Sequence, residues 1–138
     1  MYKDSVINGF KKGLLTIWKL SKIVIPVYFF VTLLSYTPVL GKISQLFEPM
    51  MKILGLPGEA SLPLILGNFI NLYAGLGAMA SLAITPKQAT ILAIMLSFSH
   101  SLLLETAVAK KVGVSTAVAV SIRIILAILS GIIFNLVL

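Results

Sequence analysis

Formal charges along this chain fall in clusters separated by long apolar runs. Ile23 to Gly41 is 19 residues without one, Ala60 to Pro86 is 27 and Gln88 to Leu104 is 17, while Val112 to Leu138 is 27 broken only by Arg123. About 20 residues of helix cross a hydrocarbon core of ~30 Å, so these runs predict three or four membrane crossings. Two further stretches alternate with helical period. Between residues 3 and 22, Val6, Ile7, Phe10, Leu14, Ile17 and Trp18 gather on one side of a 3.6-residue helix, and Lys11, Lys12, Lys19 and Lys22 on the other. This pattern predicts a helix lying in the headgroup plane with Trp18 near the interface. Residues 42 to 54 repeat it: Ile43, Leu46, Phe47, Met50 and Leu54 oppose Gln45, Glu48 and Lys52, with Pro49 expected to bend the helix. Gly55-Leu56-Pro57-Gly58 then reads as a turn.

The stretch from Ser61 to Ala83 fits either a full crossing or two half-helices that enter and leave on one side. Gly67, Asn68, Asn71, Gly75 and Gly77 cluster at its centre. Eleven residues from Ser61 to Asn71 rise about 16 Å, half the hydrocarbon depth. Cytoplasmic flanks collect Lys and Arg, which gives a test. With a re-entrant segment and a cytoplasmic N-terminus, Lys3, Lys11, Lys12, Lys19, Lys22, Lys110, Lys111 and Arg123 lie inside and Lys42, Lys52 and Lys87 outside, eight against three. A full crossing gives six against five. The charge count favours the hairpin, and the near-balance of the second count keeps open a chain that inserts both ways round. The expected order is an interfacial helix at 3–22, a crossing at 23–41, an interfacial helix at 42–54, a re-entrant hairpin at 61–84, and crossings at 88–111 and 115–138.

Composition agrees with an all-α integral membrane protein. Of 138 residues, 59% are hydrophobic and 11% charged, and mean hydropathy is +1.08. A soluble domain carries roughly 25% charged residues, so a soluble enzyme is excluded, as is a disordered tail. With no cysteine and one histidine, disulfides and a metal centre are not expected. The net charge of +7 flanks apolar spans and forms no basic groove, so nucleic acid is not an expected partner. The first long apolar run starts only at Ile23 and no small-residue cleavage pattern closes it, so a cleavable signal peptide is not expected.

Candidate chemistry concentrates in two places. If residues 88 to 111 form one helix, Ser97, His100, Ser101 and Glu105 fall within about 140° of arc as one polar stripe. Ionisable groups at membrane depth are costly and face protein or water. The functional reading is a polar cavity that binds solute or relays a proton, since histidine changes charge near neutral pH. The structural reading is a helix end at Glu105 and a hydrogen-bonded packing role for His100. Asn68 and Asn71 are expected to share a face at the tip of the first half-helix, and the amides of Tyr73 to Gly77 to open at the start of the second, together binding a polar ligand. Close helix packing is the alternative use of these Asn and Gly residues. Arg123 could pair with Glu105, or Asn135 could line a path, but for both snorkelling or packing is the preferred expectation. No nucleophile or metal motif is present in the sequence, so neither catalysis nor a cofactor is expected.

The segments Gly55-Leu56-Pro57-Gly58-Glu59-Ala60-Ser61-Leu62-Pro63-Leu64 and Ser99-His100-Ser101-Leu102-Leu103-Leu104-Glu105-Thr106-Ala107-Val108, with the Gly/Asn centre between them, resemble the nucleoside recognition or Gate domain family. That family is akin to repeats of concentrative nucleoside transporters, gates of ferrous iron permeases and spore maturation proteins A and B. The resemblance implies a polytopic transport or gating unit, with its polar site at the Asn68–Gly77 centre and at His100 and Glu105. Iron permease gates resemble one another in having a cysteine, which this chain lacks, so the resemblance does not imply iron. The expected protein is a multi-pass chain of the bacterial inner membrane, too small to enclose a solute path alone. A homodimer or a heterodimer with a homologous chain is expected, moving a small polar solute or ion. In it Asn68 and Asn71 hold the ligand, His100 switches protonation, and Glu105 orients it or couples to a cation. The competing expectation is a non-transporting subunit that scaffolds a partner.

Overall fold

The computed structural model describes residues 2–111 and 113–138. Among them all regular structure is helical, in seven α-helices and one 3-10 turn. The first, α1 (Tyr2–Ser35), is continuous through Pro26. The separate helices expected at 3–22 and 23–41 are therefore one helix, because the change from charged to apolar sequence near Ile23 alters the surroundings the helix prefers without supplying a breaker. At 34 residues it is about 51 Å long. It ends at Ser35, not Gly41. Pro38 holds Thr37 in extended conformation (φ −114°, ψ 157°) and starts α2 (Pro38–Ile53) from its first turn.

Helix α2 is more than a surface helix. Leu40 and Met51 are buried, Ile43 and Phe47 pack inward, and Leu46 and Met50 face outward. Gly55 follows with φ +68°, and the Asn135 side chain from the far end of the chain occupies the space a Cβ would need. A 3-10 turn over Gly58–Ala60 leads into α3 (Ser61–Phe69) and α4 (Leu72–Ser81).

Helices α3 and α4 fold back on each other about Ile70–Asn71. A Cβ on Gly75 would lie 2.9 Å from the Pro63 carbonyl oxygen and 3.0 Å from Gly67 Cα, so the backbones touch and only glycine fits. Gly77 does the same for α1, with a Cβ position 2.9 Å from the Val24 carbonyl oxygen. Ser61 and Ser81 thus lie at one end of a helical hairpin and Asn71 at its tip.

The long helix expected over 88–111 is broken. A Thr85/Gln88 capping box with Pro86 in the first turn starts α5 (Pro86–Phe98), and α6 (Leu102–Lys111) resumes after Ser99-His100-Ser101. Ser101 has φ +51°, and its N–H donates across to Gly67 C=O at 2.9 Å instead of along the helix. Two side chains compete with the ladder just before it: Ser99 Oγ donates to Met95 C=O at 3.3 Å, and His100 Nδ1 lies 2.9 Å from Leu96 C=O. The tip of the α3–α4 hairpin therefore meets the α5–α6 chain at its midpoint.

Helix α7 (Thr116–Val137) runs antiparallel to α5 and α6. Lys87 Nζ donates to Asn135 C=O at 2.8 Å at one end, and Arg123 Nε donates to Phe98 C=O at 2.8 Å midway. One apolar cluster joins α2, the following turn, α5 and α7 through Met51, Leu54, Leu56, Ile91, Leu92, Met95 and Ala127. A second joins α1 to α4 through Val31, Leu40, Leu62 and Ala78. Tyr2–Ser35, Pro86–Lys111 taken across its break, and Thr116–Val137 are long and apolar enough to cross a bilayer.

Gly75→Ala and Gly77→Ala each push backbone against backbone and lower stability by about 1–3 kcal/mol. Gly41→Ala, in α2 with nothing within 4 Å of its Cβ position, raises it by up to about 1 kcal/mol. Thermal unfolding of the detergent-solubilised protein checks both signs.

Candidate functional site

The α5–α6 break brings together His100, Glu105 and Arg123. Glu105 stands in the first turn of α6, where the helix dipole favours a carboxylate. It forms an ion pair with Arg123 of α7 through one oxygen, and His100 Nε2 lies 3.7 Å from the other. The same Arg123 bonds Phe98 C=O at the end of α5, so one guanidinium ties both sides of the break. Their side chains are 27% (Arg123), 29% (His100) and 37% (Glu105) exposed, so the cluster is partly buried.

A carbonyl only accepts, so the 2.9 Å contact to Leu96 C=O is a hydrogen bond in the tautomer with the hydrogen on His100 Nδ1. Nε2 then faces a Glu105 oxygen at 3.7 Å. A cavity of about 130 Å³ lies alongside, between α6 and α7, lined by Glu105, Thr106 and Arg123 with Leu102 and Ala119. It has room for a few waters or a very small solute.

The remaining expected site residues are placed differently. Asn68 and Asn71 do not share a helix face, because α3 ends between them. Asn68 Nδ2 donates to Leu64 C=O at 2.7 Å, and its Oδ1 is buried without a partner. Asn71 is the N-cap of α4, its Oδ1 accepting from Ala74 N–H at 3.0 Å. The amides expected to open between Tyr73 and Gly77 are engaged at Ala74 and Gly75, both of which donate to Asn71 C=O. Gly75 and Gly77 are backbone contacts with α3 and α1. Tyr73 is at the surface, and exposed Ser97 returns its hydroxyl to Ile94 C=O. Ser101 is buried, its N–H holding the hairpin tip. The stripe over Ser97, His100, Ser101 and Glu105 therefore does not exist as one face: the break separates Ser97 and brings His100 to Glu105.

Arg123 pairs with Glu105 instead of snorkelling, and Asn135 packs as expected, donating to Ile53 C=O at 3.4 Å. The signal for Arg123 was its isolation: a guanidinium within 22 helical residues of high hydropathy requires an acceptor at the same depth. Arg123→Met leaves the Glu105 carboxylate and the Phe98 carbonyl unpartnered and destabilises by about 1–3 kcal/mol. Adding Glu105→Gln restores part of that loss, since no lone charge remains; a double-mutant cycle on detergent-solubilised protein reads the coupling.

A family model described as "Gate: Nucleoside recognition" matches residues 17–115. The chain is 44% identical over 135 residues to the uncharacterized membrane protein YvoD of Bacillus subtilis (strain 168), a match covering 98% of this chain and 43% of the relative. The chain thus spans less than half the length of that curated relative. No solved structure matches. The match encloses both helix breaks, the hairpin, His100 and Glu105, and with it the chain belongs to the Gate, or nucleoside recognition, family of membrane proteins.

Proposed function

We propose that this chain is one repeat of a dimeric secondary transporter or gate for a small polar solute or ion, seated in the bacterial inner membrane with its N-terminus cytoplasmic. The observation that carries the reading is the meeting of two broken helices, with Ser101 N–H on Gly67 C=O and Arg123, Glu105 and His100 beside the junction. Backbone interrupted at membrane depth is tolerated where protein or a water-filled cavity surrounds it, and such breaks commonly build solute sites. With α5–α6 crossing the bilayer, a hairpin whose tip reaches its midpoint enters and leaves on the same side. The hairpin over 61–84 is re-entrant in this reading.

Roles follow from the geometry. In this reading His100, 3.7 Å from Glu105, switches hydrogen-bonding or protonation beside the 130 Å³ cavity, and Glu105 orients it or couples to a cation. Arg123 holds Glu105 in place, whereas Asn68, expected to hold the solute, lies away from this cavity with its carbonyl oxygen buried. The cavity is smaller than the roughly 300 Å³ at which ordinary ligand pockets begin, so within one chain it suits an ion or a very small solute. A second copy or a homologous chain completes a larger site.

A non-transporting scaffold is the second reading, favoured by Asn71, Gly75 and Gly77, whose polar or small character is spent within the fold. Proteoliposome flux separates the two. As a transporter repeat, the chain shows solute or ion flux that His100→Gln and Glu105→Gln each reduce at least about tenfold, with thermal midpoints near wild type. Flux equal to empty liposomes across nucleosides, amino acids and cations favours the scaffold. Single cysteines replacing Lys87 and Lys111 in this cysteine-free chain report topology. The hairpin reading expects an externally added impermeant thiol reagent to label position 87 in intact cells and position 111 only after lysis.

A further inference from the structure

A second cavity, of about 360 Å³, lies between α2, α3, α5 and α7, on the other side of Leu102 from the ionisable cluster. It touches both breaks, with Asn68 and Phe69 at the end of α3 and Ser99 and Leu102 flanking the α5–α6 interruption. No charged side chain lines it. Its two polar residues, Asn68 and Ser99, spend their donors on Leu64 C=O and Met95 C=O of their own helices, and the one acceptor left unpartnered, Asn68 Oδ1, is itself fully buried. An ion or a sugar entering it would lose its hydration with almost nothing in exchange.

The walls show where an occupant comes from. Ile53, Phe69 and Ile128 line the cavity and are also 62%, 62% and 44% exposed on the outside of the molecule. The floor is Met51, Met95 and Ala127, each at most 3% exposed. The cavity is therefore a recess that opens sideways through an apolar surface, and around a membrane protein that surface meets hydrocarbon. A rigid helix of a second copy would cap the mouth and leave the floor empty, whereas a flexible chain reaches it. A dry apolar cavity of about 150 Å³ admits benzene, and this one has more than twice that space.

We propose that this recess holds the hydrocarbon chain of a bilayer lipid, which enters past Ile53, Phe69 and Ile128 and ends against Met51, Met95 and Ala127. The chain braces the end of α3 against the α5–α6 break. The inference stands apart from the polar-solute reading: it uses the opposite side of the junction and its test measures no flux.

Brominated lipid chains quench tryptophan on contact, and the native chain has a single tryptophan, Trp18. In a Trp18→Phe background in nanodiscs, reporters are Leu64→Trp and Ile65→Trp on the recess wall. Ile125→Trp on the outer face of α7 is the exposed benchmark, and Leu92→Trp, buried outside the recess, the shielded control. Chain occupancy quenches the wall reporters to at least half the Ile125→Trp level and severalfold above Leu92→Trp. Quenching no greater than the control overturns the proposal. Should a reporter fail to fold, lipid retained per chain by delipidated protein is measured by mass spectrometry against Ala127→Leu, which fills the floor. Retention falls about fivefold if the recess is a lipid site, and equal retention overturns it.

Discussion

The structure depends on one constraint: where a helix is interrupted among apolar surroundings, each backbone group it frees must find a partner within the protein. At both interruptions freed groups are partnered in this way, partly through each other. Ser101 N–H, turned out of its helix by a positive φ, reaches Gly67 C=O in the last turn of α3. Phe98 C=O, at the end of α5, receives Arg123 Nε from α7. At the hairpin tip Asn71 uses its side-chain oxygen for the Ala74 amide and its backbone carbonyl for the Ala74 and Gly75 amides. A break in one element thus requires the other two elements to be where they are.

Small residues make those approaches possible. Gly67 and Gly75 let α3 and α4 meet backbone to backbone, and Gly77 lets α1 close over the hairpin from the other side. With the hairpin narrow, its tip fits against the midpoint of α5–α6, and the antiparallel course of α7 brings Arg123 to the same level. The ionisable cluster is a consequence of that level. Glu105, one turn beyond the break, stabilises the start of α6 while pairing with the arginine that satisfies the end of α5. His100 and Glu105 thus face each other, 3.7 Å apart, at the point where helix continuity is lost.

The space around the junction divides by polarity. On the α6–α7 side lies the small recess with Glu105, Thr106 and Arg123, and on the α2–α3 side the larger recess with apolar walls. Leu102, the first residue after the break, borders both. A polar occupant and a hydrocarbon occupant therefore have separate places, and neither needs the chemistry of the other.

The sequence determined the class of protein and its membrane character, because mean hydropathy and the spacing of charges follow from composition alone. It also determined a turn at Gly55–Gly58 and a fold-back near Asn71, where glycine and asparagine sit together in an apolar run. The Thr85–Gln88 capping box and the Tyr36-Thr37-Pro38 corner were equally written in local residues, although charge-free runs placed those boundaries two to six residues away. The break at Ser99–Ser101 was not legible: no glycine or proline marks it, and serine and histidine occur within helices. What interrupts the ladder there is Gly67 C=O from α3 and Arg123 from α7, acceptor and donor 34 and 22 residues away from Ser101 in the chain. Periodicity reports which side of a helix is apolar, but only tertiary packing can offer a backbone group a better partner than its own helix. That competition decided where the polar stripe ended and which of its residues came together.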